Sequence, residues 1–198
     1  MRYPPSYYVD DEPEFTNRII EEHGFCLLTC PSEMGPLATH LPMIKEGGKL
    51  YGHVAANNPM VDFIDSDMVF LAVFHGAHDY ISATLYDDPS RSVPTWDYVA
   101  VHVHGTTRAL SAEESVDQMH NLVDKYEGQE GWYMEDAAEY ASRLFPKIIA
   151  FEMQMDRVRG MRKLSQNKNA ETQGRIVENL RVRGNADLAN EIELIRKK

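Results

Sequence analysis

Cysteine is nearly absent: Cys26 and Cys30 are the two in 198 residues. That excludes a disulfide-built scaffold. On one strand the two would lie about 13 Å apart at ~3.3 Å per residue, beyond the ~7 Å that a disulfide spans. Two free, core-buried thiols in a reducing compartment are therefore expected. Long apolar runs are missing too. No stretch approaches the ~20 residues that cross a bilayer, and the opening Met1-Arg2-Tyr3-Pro4-Pro5 carries no apolar signal core. A soluble cytoplasmic protein with no membrane partner is the expectation. Positive charge is short: 20 Lys and Arg face 31 Asp and Glu, a net of −11. Duplex DNA repels such a surface. No Gly-x-Gly-x-x-Gly and no Walker motif occur, so Rossmann and P-loop nucleotide sites have no support. Internal repeats and low-complexity segments are absent as well.

What is present reads as an ordinary globule, 43% apolar and 26% charged. The length suits one domain with a terminal extension, divided here into 1–168 and a helical 169–198. Charge is split along the chain. Residues 1–156 hold 9 basic and 26 acidic side chains, whereas 157–198 hold 11 basic and 5 acidic. The stretch 157–168 has five basic residues and no acid. Two readings stay open: a basic segment that neutralises the acidic body, or an anion site for phosphate or nucleic acid.

The apolar pattern supplies the elements. Pro13 opens a helix with Phe15, Ile19 and Ile20 on one face, ended by His23-Gly24. Strands are expected over 25–30, 37–44 and 49–55, the last two joined at Glu46-Gly47-Gly48. Asn58 and Pro59 read as N-cap and first residue of a helix carrying Met60, Phe63 and Ile64. Such a start directly after a strand can receive an anion. Further strands are expected over 68–74 and 79–86, with His75 and His78 flanking a tight turn, and from Tyr98 toward Leu110. Ser111 and Glu114 form a capping box, and Val116, Met119, Val123 and Tyr126 stripe the helix behind it. After a 127–135 loop come a short helix near 137–144, a last strand over 147–158 and two helices broken at Gly184. Six or seven mostly consecutive strands imply a mainly β, α+β fold built on an antiparallel sheet or barrel.

Eight histidines raise a metal reading, through His75 and His78 beside Asp79, or His102 and His104 on one strand face. Half-buried, hydrogen-bonded strand histidines are the alternative. A Cys-His nucleophile has no local support. Trp96 and Tyr98, within Pro94-Thr95-Trp96-Asp97-Tyr98, suit either a flat-ring pocket or a core.

Several short segments, in order along nearly the whole chain, resemble one family. They are Tyr3-Pro4-Pro5, Thr39-His40-Leu41-Pro42, Gly52-His53-Val54-Ala55 with Asn58-Pro59, Phe74-His75-Gly76-Ala77-His78-Asp79-Tyr80-Ile81-Ser82, Val93-Pro94-Thr95-Trp96-Asp97-Tyr98, His102-Val103-His104-Gly105, and Lys163-Leu164-Ser165-Gln166-Asn167. Together they are similar to the PaiB-type family, described as FMN-binding negative transcriptional regulators. The resemblance implies an antiparallel FMN-binding split barrel, related to pyridoxamine phosphate oxidase, that forms a homodimer with flavin at the subunit interface.

The resemblance also implies a site. The strand pair around His40-Leu41-Pro42 and His53-Val54-Ala55 would floor a slot for the isoalloxazine. Asn57 and Asn58 would face the phosphate. Trp96 and Tyr98 would touch the ring. Arg162, Lys163, Ser165 and Gln166 would reach the phosphate or the ribityl chain, from the same subunit or its partner. Three departures from the family pattern stand out. Ala56 replaces a basic residue, Ala83-Thr84-Leu85-Tyr86 replaces a proline-aromatic step, and Arg162 replaces an aromatic. Ala56 removes a charge-assisted phosphate contact and weakens retention of FMN. Three functions follow: a flavin-binding regulator; a flavin-dependent oxidoreductase, for which no catalytic residue stands out; or a haem-binding split barrel using His40, His53, His75, His78, His102 or His104. DNA contact has little physical support beyond the basic segment.

Overall fold

The structure is a computed structural model in which residues 4–128 and 131–196 are described. Tyr3 of the opening motif and part of the 127–135 loop lie outside the described residues. In chain order the elements are α1 (Pro13–Glu22), β1 (Phe25–Cys30), β2 (Leu37–Pro42), β3 (Ile44–Glu46), β4 (Lys49–Ala55), β5 (Phe70–Ile81), β6 (Thr95–Gly105) and β7 (Thr107–Ala109). There follow α2 (Ala112–Glu127), α3 (Ala138–Leu144), β8 (Ile148–Gln154), β9 (Arg157–Lys163), α4 (Ala170–Val182) and α5 (Ala186–Arg196). Among the described residues no helix is long and apolar enough to cross a membrane.

Local chemistry explains most boundaries. Gly47 and Gly48 adopt φ of +55° and +81°, which closes the β3–β4 hairpin with Glu46 opposite Lys49. The capping box at α2 forms in both directions, Ser111 Oγ accepting from Glu114 N at 3.2 Å and Glu114 Oε2 from Ser111 N at 2.7 Å. Asn169 caps α4 by accepting from Thr172 N at 2.8 Å, and Gly184 at φ +81° separates α4 from α5.

Four expectations are corrected. Residues 68–86 are not two strands with a turn at His75–His78. β5 is one strand, and Ala83–Leu85 is a 3-10 turn. Burial alternates regularly through Phe70, Ala72, Phe74 and Gly76, then slips by one so that His78 and Tyr80 stay outside and Ile81 turns in. The predicted 147–158 strand ends at Gln154, and the basic segment opens as a separate strand, β9. The expected 37–44 strand breaks at Met43, whose N–H donates to Gly24 O at 2.8 Å and whose side chain is buried. After Asn58 the chain forms a five-residue 3-10 turn, Pro59–Phe63, rather than a helix. The described strands number nine.

The chain divides into two compact units. One comprises Met1–Ile19, His75–Val101 and Arg159–Lys198. It holds the later part of β5, the earlier part of β6, most of β9, and α4 and α5, around a core of Ile81, Val99, Leu164, Ile176, Leu180 and Ile192. The other comprises Ile20–Phe74 and His102–Val158. There β2, β1 and the start of β5 pair antiparallel, with Leu27 opposite both His40 and Val73. A four-stranded sheet has the order β3-β4-β8-β7. Leu28, Leu50, Phe70, Phe151 and Met153 fill its core. Cys26 and Cys30 are free and buried on β1, as expected, and burial pushes the Cys26 thiol up to about 12.

Gly105 ends β6 where only glycine fits: a Cβ there would lie 1.7 Å from the Gln154 carbonyl oxygen. Backbone cannot yield as a side chain can. Gly105→Ala is therefore expected to destabilise the protein by about 3 kcal/mol, read as a lower urea midpoint. An unchanged midpoint would disprove the close approach.

Candidate functional site

Two of the resembling segments meet within the first unit. β6 supplies Thr95-Trp96-Asp97-Tyr98, and the end of β9 supplies Lys163 followed by Leu164-Ser165-Gln166. Strand alternation turns Trp96 outward, 54% exposed, and Asp97 inward, with its side chain 1% exposed. Tyr98 is half-buried. The Asp97 carboxylate accepts from Ser165 Oγ at 2.6 Å through Oδ2. Its Oδ1 accepts no hydrogen bond and stands 3.8 Å from Lys163 Nζ. Lys163 donates to Thr95 Oγ1 at 2.5 Å and to the Trp96 carbonyl. Its charge therefore rests on two neutral oxygens and one loosely placed carboxylate.

Burial pushes Asp97 above the usual carboxylate range, against the opposing pull of Ser165 and Lys163. Burial likewise lowers Lys163, against the pull of Asp97. Both shifts run toward the neutral form because desolvation outweighs an attraction acting across 3.8 Å. Nearby, burial and the Tyr7 hydroxyl push Tyr8 up to about 12, with smaller pushes from Asp97 and Tyr86. Lys168 Nζ lies 4.1 Å from the centre of the Tyr86 ring, a cation–π contact.

The turn is held from several sides. Ser165 sits at φ +56°, a left-handed conformation costing a non-glycine residue about 1 kcal/mol. Gln173 Nε2 donates to Ser165 O at 3.1 Å. Gln166 folds back, accepting from Leu164 N at 2.7 Å and donating to Tyr7 O at 3.3 Å. Its side chain is thus engaged with backbone. Arg162 is sent the other way by β9. Its guanidinium is buried on the Phe15 ring, donating to Asp10 Oδ2 at 2.9 Å and to Glu191 Oε2 at 3.4 Å. It is not brought to the Lys163 side. Trp96, Lys163 and Ser165 are brought together around Asp97, and Tyr98 lies two positions beyond Trp96 on β6.

Five arginines after residue 156 are paired with acids. Arg159 pairs with Asp11, Arg162 with Asp10 and Glu191, Arg175 with Asp87 and Glu171, Arg181 with Glu193, and Arg183 with Asp79. The neutralising reading holds for these arginines. Lys163 has a looser ion pair, 3.8 Å from Asp97, and suits the anion reading better than these arginines.

The other expected residues lie in the second unit. β2 and β4 are not a hydrogen-bonded pair: β2 pairs with β1, and β4 with β3 and β8. They still approach closely at Gly52, where a Cβ would lie 3.0 Å from Leu41 Cδ1 and 3.4 Å from Pro42 O. His40 is exposed and stacks on Phe25 at 5.9 Å. Leu41 and Val54 are core residues, Pro42 is half-buried, and Ala55, Ala56 and Asn57 are exposed. Asn58 caps the 3-10 turn by accepting from Met60 N at 2.9 Å, so its carbonyl already has a donor. A five-residue 3-10 turn is too short to act as a helix-terminus anion site. His53 is half-buried and faces a cavity beneath α2 and α3. No cluster of three or more His, Cys, Asp or Glu is placed to hold a metal ion among the described residues.

Comparison with known proteins places this chain in a family. Residues 1–157 match the model of the "Putative FMN-binding domain". The chain belongs to that FMN-binding family. It is 28% identical over 208 residues to Protease synthase and sporulation protein PAI 2 of Bacillus subtilis, a match covering 99% of this chain and 97% of that protein. Among solved structures, it is similar to the flavocytochrome Anf3 from Azotobacter vinelandii, with a TM-score of 0.64, 12% identity, and 88% and 77% of the two chains covered. The FAD and heme binding protein from Mycobacterium smegmatis gives 0.63, 9%, 84% and 78%. At such identities these structures establish the fold, the flavin-binding split barrel expected from the sequence. The PaiB-type resemblance is thus sustained, and FMN is the cofactor of the family.

The residues present fit FMN unevenly. Lys163 offers a cation whose ion pair with Asp97 is loose, at 3.8 Å, and Trp96 offers an exposed ring. Arg162 is already neutralised, and Ala56 adds no charge. When bound, FMN supplies its own electron-transfer chemistry. The part of this chain is to hold and orient it.

Asp97, absent from the expected site residues, is the main addition. Its only sequence signal is an acid at an inward position of an otherwise apolar strand. Its raised folded pKa has a definite consequence. Stability is fullest below the unfolded value, near 3.8, and falls as pH rises through the higher folded value. Asp97→Asn keeps an oxygen for Ser165 and is expected to flatten that fall in urea midpoints measured from about pH 4 upward. An unaltered pH profile would show that the carboxyl titrates alike in both states.

Proposed function

We propose that this protein is a PaiB-type, FMN-binding regulator that works as a cytoplasmic homodimer. On this reading Lys163 meets the FMN phosphate, Trp96 and Tyr98 contact the ring, and Ser165 holds the turn. The observation that carries it is the Lys163 ammonium, displayed on neutral oxygens beside an exposed Trp96, in a chain whose family is defined by FMN. The regulatory part rests on full-length similarity to PAI 2, whose name ties that protein to protease synthesis and sporulation. Free Cys26 and Cys30 agree with a reducing compartment. The division into a flavin-binding 1–168 and a helical extension 169–198 belongs to the same proposal.

Direct operator binding is the less favoured route for the output. Five arginines among the eleven basic residues of 157–198 carry acidic partners, which reduces the positive charge open to phosphates of a duplex. A ligand-dependent protein partner suits this charge distribution better.

Titration of the purified protein with FMN, followed by flavin absorbance and fluorescence, tests the reading. Saturable binding of one FMN per subunit is expected. Lys163→Ala should weaken it, and by more at low salt, where less of the lost charge is screened. No spectral change at saturating FMN would overturn the proposal, and equal affinity of the variant at low salt would remove Lys163 from the site.

A further inference from the structure

The second unit contains a cavity that the flavin reading does not use. Strands β4 and β8 and helices α2 and α3 contribute to it. It measures about 260 Å³, with His53, Met119, Val123, Trp132, Phe145 and Ile148 among its walls. Volume limits the occupant. An apolar cavity of roughly 150 Å³ accepts benzene, and drug-sized sites begin near ~300 Å³. The space here suits one ring or two fused rings.

The chemistry of the walls narrows the class further. His53 is the one titratable side chain among the described lining residues. Burial lowers its pKa from the ordinary 6.5, so the imidazole is neutral at pH 7. The lining therefore offers no charge to a phosphate or carboxylate. A second space of about 10 Å³, roughly one water in size, shares His53 and Met119 as walls and is bounded by Gln118. Gln118 Oε1 is buried and accepts no hydrogen bond, whereas its Nε2 donates to Glu46 Oε2 at 3.3 Å. A buried acceptor without a donor is unfavourable. The cavity thus has an apolar body, and the small space that shares its His53 and Met119 walls is bounded by Gln118, whose acceptor lacks a donor. Trp132 is 45% exposed and stands among the lining residues.

We propose that this cavity binds a small, neutral aromatic molecule, between phenol and indole in size, whose single hydroxyl or N–H serves the His53–Gln118 end directly or through one water. The ring packs against Met119, Val123 and Phe145. This goes beyond the flavin reading, since nothing in the lining would hold a ribityl phosphate.

Indole and 1-methylindole are the probes, because they differ chiefly in the N–H. The chain has two tryptophans, Trp96 and Trp132. Trp96→Phe protein labelled with 5-fluorotryptophan therefore reports on Trp132 alone by fluorine NMR, with calorimetry on the unlabelled protein for affinity. Indole is expected to shift the Trp132 signal saturably and to bind at least tenfold more tightly than 1-methylindole. Ala141→Phe, which fills the cavity, should abolish the binding while leaving FMN affinity unchanged. Val123→Phe serves the same purpose should the first variant fail to fold. Gln118→Leu should erase the preference for indole. An unmoved Trp132 signal up to the solubility limit of indole would overturn the proposal. So would equal affinity for the two probes, or competitive displacement of indole by FMN, which would make the cavity part of the flavin slot. Failure of FMN to bind at all would sink the flavin reading and leave this one standing.

Discussion

A single buried carboxylate organises the candidate flavin site. Asp97 has lost nearly all its water, and one of its oxygens has no hydrogen bond. Burying a charge in this way is unfavourable unless neighbours compensate it. Ser165 supplies one compensation by donating at 2.6 Å, at the expense of a left-handed backbone. Lys163 supplies a weaker one from 3.8 Å. Because Asp97 holds the turn, the Lys163 ammonium is steered onto Thr95 and Trp96 rather than into bulk water. The neighbouring strand positions then fall into place, with Trp96 outward and Val99 in the core.

The same contrast between near and distant partners governs charge throughout this unit. Arg162 and Lys163 are adjacent in sequence yet face opposite sides of β9. One is closed off by Asp10 and Glu191, and the other has only the looser pair with Asp97 at 3.8 Å. The excess positive charge after residue 156 therefore does not amount to a basic face. Most of its arginines secure elements to one another: Arg175 ties α4 to Asp87, and Arg183 ties the end of α4 to Asp79 on β5. A chain with net charge −11 and such internal pairing meets an anion through particular lysines, not through a broad field.

How much of this was legible in the sequence depends on the distance over which each feature is decided. Asn58, the Gly47-Gly48 turn, the Ser111–Glu114 box and the break at Gly184 follow local rules, and all appear where the residues indicate. β5 was misread because histidines around a glycine look like a turn, whereas Gly76 is a buried strand residue. β9 is hard to read because a glycine and an arginine, Gly160 and Arg162, occupy its buried positions and hide the alternation. Arg162 looks exposed until Asp10, 152 positions away, is found beside it. The segments that resemble the family contain Lys163 and Trp96, which the structure brings side by side. They could not reveal Asp97 as its anchor, since burial and a missing hydrogen bond are properties of packing.

The departures of this chain from its family gain meaning in that setting. With Ala56 uncharged and Arg162 engaged, the proposed electrostatic recognition of phosphate falls to Lys163 among the expected residues. The most direct measurement follows the Lys163 Nζ resonance in ¹⁵N-labelled protein, assigned against a Lys163→Arg variant, as FMN is added. A saturable shift of that resonance, with inorganic phosphate producing a smaller shift of the same sign, is the predicted result. A resonance that stays fixed while FMN binding saturates would contradict the placement of the flavin phosphate at Lys163.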